Sequence, residues 1–184
     1  MGKEFNPDRL DAKAFVQAGV RLAGHDSLLK YERLAQEAKG LHPDLRVDWE
    51  ATGECRGDPG PDGGQMWMHL RIQATFPMLC QRCLGPVDVP LQVDRWFRFV
   101  ADESTAEALD DEVEEDLLAL SREFDLHELI EDELLMALPV VPKHEVCPVR
   151  VPMASSDEDF EAASEARPNP FAALASMRVD KSDK

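Results

Sequence analysis

The chain lacks the features that mark a membrane protein or a secreted protein. No apolar run approaches the roughly 20 residues needed to cross a bilayer, and the N-terminal residues have no apolar core of a signal peptide. Only four of the 184 residues are cysteines. Without an export signal, these are expected to be reduced thiols or metal ligands rather than disulfides. We therefore expect a cytoplasmic protein with no membrane association.

Common catalytic motifs are also missing from the sequence. There is no Gly-rich phosphate loop and no His-Glu metalloprotease helix, no G-x-S-x-G turn and no EF-hand pattern in the acidic run. A dithiol oxidoreductase would place its C-x2-C pair at the start of a helix, whereas Pro86 closely follows the pair here. We predict that the protein is not an enzyme. A nuclease is the enzymatic alternative, but no metal-binding set of carboxylates can be assigned to it.

Basic residues are scarce, and the net charge of −17 is concentrated in one part of the chain. Residues 101–150 contain 16 acids and 3 bases, whereas residues 51–100 contain 5 of each. Such a concentration creates a field that attracts a basic partner and repels phosphate. A solvated acidic loop would have the same composition, so that alternative stays open. The residues predicted to bind a partner are Asp110, Asp111, Glu112, Glu114, Glu115, Asp116, Glu128, Glu131 and Asp132.

The hydrophobic pattern changes period along the chain. Apolar residues at helical spacing predict short helices over residues 9–23 and 27–39. Alternation then predicts strands, at residues 45–49, 66–74, 87–93, 96–101 and 117–120, with irregular loops at 53–65 and 102–116. Strands joined by short connections favour an antiparallel sheet with one covered face. The predicted fold is one α+β domain over residues 1–150, an antiparallel β-sheet with flanking helices.

The best-defined predicted element is a helix that begins after Asp125. Asp125 is a suitable N-cap, with Glu128 at the capping-box position, and Pro139 ends the helix. Its leucines and isoleucine form one apolar stripe, and Glu128, Glu131 and Asp132 are predicted to face outward.

The last 34 residues, 151–184, are predicted to form a partly disordered acidic tail. The first half of this segment has few large apolar residues and many Ser, Ala and acidic residues. Asn169 and Pro170 then suit the start of a helical turn, which predicts a short helical anchor at 169–178.

Four residues have the spacing of a possible metal site. Cys80 and Cys83 form a C-x2-C pair, and His144 and Cys147 follow the predicted helix as H-x2-C. Three thiolates and one imidazole suit tetrahedral zinc. The alternative is that these groups are ordinary reduced thiols beside loops, with Cys55 as a bystander.

Direct RNA binding is a further possibility. Arg71, Arg82, Arg95 and Arg98 lie on or beside predicted strands, and the three tryptophans fall on different strands. Tryptophans are more often part of a core than of a base-stacking platform. The acidic charge of the whole chain also opposes the counterion release on which phosphate binding depends.

Three blocks of the sequence resemble one known family. They are LCQRC at 79–83, FDLHELIEDELLMALPVVP at 124–142 and PNPFAALA at 168–175. These blocks are similar to those of the large ribosomal RNA subunit accumulation protein family, YceD. The resemblance implies a bacterial cytoplasmic protein that supports the synthesis, processing or stability of 23S rRNA, and it implies no catalytic residues. Genes of the family commonly neighbour that of a small basic large-subunit ribosomal protein.

The sequence thus favours a non-enzymatic ribosome biogenesis factor. Its predicted partner is a basic large-subunit ribosomal protein or a pre-ribosomal particle, bound through an acidic surface. A zinc- or thiol-linked regulatory protein and a direct rRNA-binding module are the two alternatives.

Overall fold

The computed structural model describes residues 4–57 and 64–151, which contain one five-stranded sheet. Its strands lie in chain order: β1 (Arg21–Ser27), β2 (Arg46–Arg56), β3 (Gln65–Leu79), β4 (Pro86–Val100) and β5 (Asp116–Ala119). The first four strands are antiparallel, and β5 pairs in parallel with the end of β4. The helices in these ranges are α1 (Ala12–Ala18), α2 (Glu32–Glu37), α3 (Glu103–Leu109) and α4 (Leu126–Ala137), with short 3-10 helices at Pro7–Arg9 and Leu28–Lys30. The predicted α+β class with a mainly antiparallel sheet and flanking helices is confirmed.

The first two predicted helices are shorter than expected. α1 ends at Ala18 because Gly19 adopts a left-handed conformation with φ of 57°, the usual backbone geometry of a helix C-terminus. The chain then enters β1, a strand that the sequence reading missed. Residues 27–39 were predicted to form one helix. They form instead a short 3-10 helix followed by α2.

The strands and loops also differ from the predictions: β2 and β3 are longer than expected, and β2 extends into the predicted loop at 53–65. The strands expected at 87–93 and 96–101 are one continuous strand, β4, which pairs with β3 over Leu79–Met66. Residues 103–109 form α3 rather than a loop, because Asp102 caps the helix by accepting a hydrogen bond from the Thr105 amide. The Glu, Ala and Leu residues of this segment are good helix formers.

The core lies between one face of the sheet and the helices α1 and α4. Alternate residues of β2, β3 and β4 point into it, and Leu126, Ile130 and Leu134 of α4 are fully buried against them. α1 lies directly on β2 at Gly53, where a Cβ atom would come within 2.7 Å of the Val16 Cα atom. Within residues 4–57 and 64–151, no helix covers the opposite face of the central strands.

The chain divides into two units, Met1–Cys147 and Pro148–Lys184. The predicted helical anchor at 169–178 and the predicted disorder of the tail lie outside the described residues. No helix within 4–57 and 64–151 is long and apolar enough to span a membrane.

Candidate metal centre and acidic groove

The C-x2-C pair lies in the turn that joins β3 to β4. The Cys80 amide donates to the Gly85 carbonyl at 2.8 Å, and the Leu84 amide donates to the Cys80 carbonyl at 2.8 Å. Leu84 adopts φ of 59°, in the left-handed region that a residue with a Cβ rarely occupies. The turn is therefore tight, and it places the Cys80 and Cys83 sulfur atoms close together.

Residues 138–147, which follow α4, run beside this turn. The Gln81 amide donates to the Pro142 carbonyl at 2.8 Å, and the Arg82 guanidinium donates to the His144 carbonyl at 2.7 Å. These contacts bring the second half of the predicted metal site to the first. The ligand atoms of Cys80, Cys83, His144 and Cys147 all lie within 4.8 Å of one another.

The distances within this cluster are short but not those of a disulfide. The Cys80 and Cys147 sulfur atoms are 3.9 Å apart, and the Cys83 sulfur is 3.4 Å from Nδ1 of His144. All three cysteines are free thiols. The other ring nitrogen, Nε2 of His144, lies 3.0 Å from the Pro86 carbonyl oxygen.

The environment makes the cysteines unequal. Burial raises the pKa of Cys80, but hydrogen bonds from the backbone of Cys83, His144 and Arg82 outweigh it and lower the pKa to about 5. Burial and hydrogen bonds with Cys83 and Cys80 raise the pKa of Cys147 to about 11. Cys55 lies on β2, is exposed and is not part of the cluster.

A second group of titratable residues, around His127, is structural. Its ring nitrogens lie 2.7 Å from Asp8 and 3.2 Å from Asp26. The Lys30 ammonium lies 3.0 Å from Nε2 of His127 and 3.6 Å from Asp8, so the group already contains a cation of the protein. The group ties α4 to β1 and to the N-terminal 3-10 helix.

A groove with an acidic rim lies between α4 and the end of β5. Its volume is about 670 Å³. Half-buried apolar side chains line its floor, namely Leu118, Leu120, Phe124 and Leu129, and its acidic residues are Asp102, Glu103, Glu123, Asp125, Glu128 and Asp132. We call this the acidic groove. Of these acids, only Glu128 and Asp132 were among the predicted partner-binding residues. The other four reach the groove only because of where α3 and the turn before α4 lie in the fold, which the sequence did not predict.

The predicted partner-binding acids fall into two groups. Four of them are bound to arginines: Glu115 to Arg98, Asp116 to Arg95, and both Glu131 and Asp132 to Arg33. Across the described ranges, no ion pair involves Asp110, Asp111, Glu112, Glu114 or Glu128. The prediction that Glu131 faces outward is wrong, since this residue is buried and accepts hydrogen bonds from the Arg33 and Leu34 amides.

The face of the sheet opposite the core carries an aromatic cluster that the sequence only suggested. Trp49 is in the core, whereas Trp67 and Trp96 are half-buried on the opposite face. His69 stacks on Trp96 at 4.2 Å, and the Arg56 guanidinium lies 3.8 Å from the Trp96 ring centre. The Trp96 ring therefore already contacts two planar side chains of this chain.

The chain has significant matches among known proteins. The profile of the family described as large ribosomal RNA subunit accumulation protein YceD matches residues 68–178. A curated relative with this name, from Haemophilus influenzae, is 33% identical over 177 residues, which cover 94% of this chain and 95% of the relative. No solved structure gives a significant match. The resemblance predicted from the sequence is thus confirmed, and the chain belongs to the YceD family.

Proposed function

We propose that the protein is a non-enzymatic factor of the bacterial cytoplasm that supports the accumulation of large-subunit ribosomal RNA. The observation that carries this proposal is the similarity to a protein named for that role over nearly the whole of both chains. The family is named for an accumulation effect and not for a reaction, which agrees with the lack of catalytic motifs in the sequence.

The acidic groove is the surface best suited to the molecular part of this role. Its apolar floor can contact the aliphatic stems of Lys and Arg side chains, while the acidic rim receives their charged ends. We propose that it binds a basic, extended segment of a large-subunit ribosomal protein. Glu128 is exposed on the rim and forms no ion pair within the described residues, so its charge is free for a partner.

The loop between α3 and β5 would assist this binding at longer range. Asp110, Asp111, Glu112 and Glu114 are exposed. Concentrated charge of one sign increases the association rate with an oppositely charged partner more than it increases affinity. These four acids are therefore proposed to steer the basic partner, whereas the groove holds it.

The charges of the strands favour a protein partner over RNA. Arg71, Arg95 and Arg98 each pair with a carboxylate of this chain. Phosphate binding would require these arginines to exchange their partners, and the groove itself would repel phosphate.

The binding proposal can be tested with proteins extracted from purified large ribosomal subunits. These are passed over the immobilised full-length chain, and the retained protein is identified and measured by calorimetry. We expect a basic ribosomal protein to be retained, and its affinity to fall about tenfold in a groove variant that loses three rim charges, E103Q/E123Q/E128Q. A matched variant, E32Q/E37Q/D88N, loses three exposed acids elsewhere and should bind as the wild type does. Equal binding by the two variants, or retention of no basic protein, overturns the docking proposal.

The role in rRNA accumulation needs a separate test in cells. An H. influenzae strain that lacks the relative is complemented with this chain, and the ratio of large to small rRNA is measured. The wild-type chain should restore the ratio and the groove variant should not. If both restore it, the family role stands and the groove is not its basis.

Direct rRNA binding is the second candidate, because Trp67, Trp96 and Arg56 offer planar groups on a face that no helix covers in the described part of the chain. Stacking is worth roughly 1–3 kcal/mol per base, but a base would have to displace Arg56 or His69 from Trp96. Fluorescence anisotropy with labelled single-stranded rRNA fragments tests this candidate. Binding at physiological salt that is lost in Trp96→Ala would favour RNA as the partner in place of a protein.

A further inference from the structure

The geometry points to a structural zinc site formed by Cys80, Cys83, His144 and Cys147, which clamps residues 138–147 to the β3–β4 turn. This inference concerns a different part of the molecule from the acidic groove and does not depend on the proposed function. Its basis is the convergence of four ligand atoms from two segments that are more than 55 residues apart in the sequence.

The spacing of the ligand atoms fits one tetrahedral ion. Zinc binds sulfur at about 2.3 Å and histidine nitrogen at about 2.0 Å, so a tetrahedron has edges of about 3.8 Å between two sulfurs and about 3.5 Å between sulfur and nitrogen. The Cys80–Cys147 sulfur distance is 3.9 Å and the Cys83 sulfur to His144 Nδ1 distance is 3.4 Å. Both distances match the edges of a tetrahedron around zinc.

His144 is already oriented for metal binding. Its Nε2 lies 3.0 Å from the Pro86 carbonyl oxygen, which can only accept, so Nε2 donates to it. In the neutral imidazole that binds a metal, Nδ1 is then the ligand atom, and it lies 3.4 Å from the Cys83 sulfur. Metal-binding histidines are usually fixed in this way by a hydrogen bond from the second ring nitrogen to a carbonyl or carboxylate.

Metal binding also explains why three cysteines converge. Thiols are weak hydrogen-bond donors and acceptors, so an imidazole and three thiols gain little from one another without an ion. A disulfide would require sulfur atoms about 2.05 Å apart, and none of the pairs is this close. The backbone of Leu84 is strained, with φ of 59°. Hydrogen bonds from Gln81 and Arg82 to the carbonyl groups of residues 142 and 144 hold the turn in which this strain persists.

The donor set identifies the ion and its role. Three thiolates with one imidazole form a closed four-ligand set of the kind found in structural zinc sites, with no open position for water. The zinc would therefore not activate a nucleophile. It would attach the chain after α4 to the sheet. Within the described residues, this attachment otherwise depends on the hydrogen bonds of Gln81, Arg82 and His144.

The test uses the full-length chain, purified without a polyhistidine tag and without added metal or chelator. Mass spectrometry of the metals in this sample should give about one zinc per chain. Cobalt substitution of the same protein should produce the absorption bands of tetrahedral Co²⁺ with thiolate ligands. Folded protein that contains no zinc and gives no such cobalt spectrum, or protein that contains iron instead, overturns the inference.

Substitutions then test the individual ligands. Cys83→Ser and Cys147→Ser should weaken zinc binding at least about tenfold in competition with a chelator. Even substitutions of residues that only hydrogen-bond to the metal ligands have effects of this size. Cys55→Ser is the matched control and should bind zinc as the wild type does. Cys80 is fully buried, so a Cys80 variant would not separate loss of a ligand from loss of the fold. His144→Cys is tested in its place. That variant supplies a fourth thiolate and should keep the zinc while shifting the cobalt charge-transfer band. Loss of zinc from Cys55→Ser, or full zinc affinity in both Cys83→Ser and Cys147→Ser, contradicts the site.

Discussion

At the scale of single residues, Glu131 shows how an acid on an apparently exposed helix face can be structural. Its Oε1 accepts hydrogen bonds from the Arg33 amide at 2.7 Å and the Leu34 amide at 3.1 Å. These are free amides of the first turn of α2, whose own N-cap residue, Tyr31, provides no side-chain cap. Glu131 thus caps a helix almost 100 residues earlier in the chain. The sequence could not reveal this, because the apolar pattern of α4 shows which residues share a face of the helix but not which other element packs against that face.

We expect Glu131→Ala to destabilise the fold by about 2–3 kcal/mol. The substitution removes a charged acceptor and leaves the amides of Arg33 and Leu34 unsatisfied in a partly buried place. Urea unfolding measures the effect. The control is Glu128→Ala on the same helix, which is exposed and should change stability by less than about 0.5 kcal/mol. Equal effects of the two substitutions would show that the cap is not formed.

Asp26 should make stability depend on pH in the acid range. Burial raises its pKa, but hydrogen bonds from Trp49 and Tyr31 and the charges of Lys30 and His127 outweigh burial, so the pKa lies below 3.8. A lowered carboxyl pKa means that the unfolded chain binds the proton more readily. The contribution of Asp26 is then present above about pH 4 and is lost as pH falls through its folded-state pKa.

Comparison of the wild type with Asp26→Asn tests this pH dependence. The wild type should be more stable by about 1–3 kcal/mol at pH 7, the range for hydrogen bonds to a charged group. The difference should shrink below pH 4. Asp48→Asn, which alters an exposed pair with His25, should show little difference at either pH. A constant gap between wild type and Asp26→Asn down to pH 3 would contradict the assignment.

At the scale of elements, the sequence predicted best where the signals were local. α4 begins after its N-cap, Asp125, which accepts hydrogen bonds from the His127 and Glu128 amides, and it ends before Pro139, as the pattern indicated. β1 was missed because its polar composition and Gly24 resemble a loop. Gly24 is there for a tertiary reason, since the Trp49 indole lies where a Cβ atom would be, at 2.4 Å. Local patterns do not contain such contacts between strands.

The β3–β4 turn offers a test of backbone strain in one element. Leu84 is 73% exposed and has φ of 59°, so its side chain contributes little packing while its backbone is strained. We expect Leu84→Gly to raise the free energy of unfolding by about 0.5–1 kcal/mol, because glycine adopts this conformation without a Cβ clash.

Leu84→Ala is the matched control for that turn. It removes the same side-chain atoms beyond Cβ but keeps the strain, and should leave stability within about 0.5 kcal/mol of the wild type. Chemical denaturation at a fixed zinc concentration measures all three proteins, so that metal binding does not confuse the comparison. A destabilised Leu84→Gly protein would mean that the turn does not need the left-handed conformation.

At the scale of the whole molecule, the acidic segment proved to be two different things. Part of it is structural, because Glu115, Asp116 and Asp132 neutralise arginines of the sheet and of α2. Glu123, Glu131 and Glu133 are ion-paired as well. The loop acids Asp110, Asp111, Glu112 and Glu114, in contrast, are exposed and form no ion pair within the described residues. The sequence located the charge correctly but could not separate these parts, since the arginines lie 17 to 99 residues away. The spacing of cysteine and histidine in the sequence was enough to name the four predicted metal ligands. Their proximity in space could not be predicted, because it depends on the path of the chain from the end of α4 back to the sheet.

The unpaired acids should make stability depend on salt. Asp110, Asp111, Glu112 and Glu114 are four like charges within five residues. Exposed charges are screened beyond the Debye length, which is about 10 Å at 0.1 M salt, so we expect their mutual repulsion to be strong only at low ionic strength. Neutralising them, in D110N/D111N/E112Q/E114Q, should raise Tm by about 2–4 °C in roughly 0.02 M salt, as expected for about 1 kcal/mol in a protein of this size. In roughly 0.5 M salt the same variant should differ from the wild type by less than about 1 °C, because the Debye length is then only a few ångströms.

The control, E4Q/E32Q/E37Q/D88N, removes four exposed acids that are scattered over the fold, so it changes the net charge equally but relieves less local repulsion. Calorimetric melting of the three proteins at both salt concentrations distinguishes the two effects. If the control gains as much as the loop variant at low salt, net charge alone sets the salt dependence and the loop has no special field.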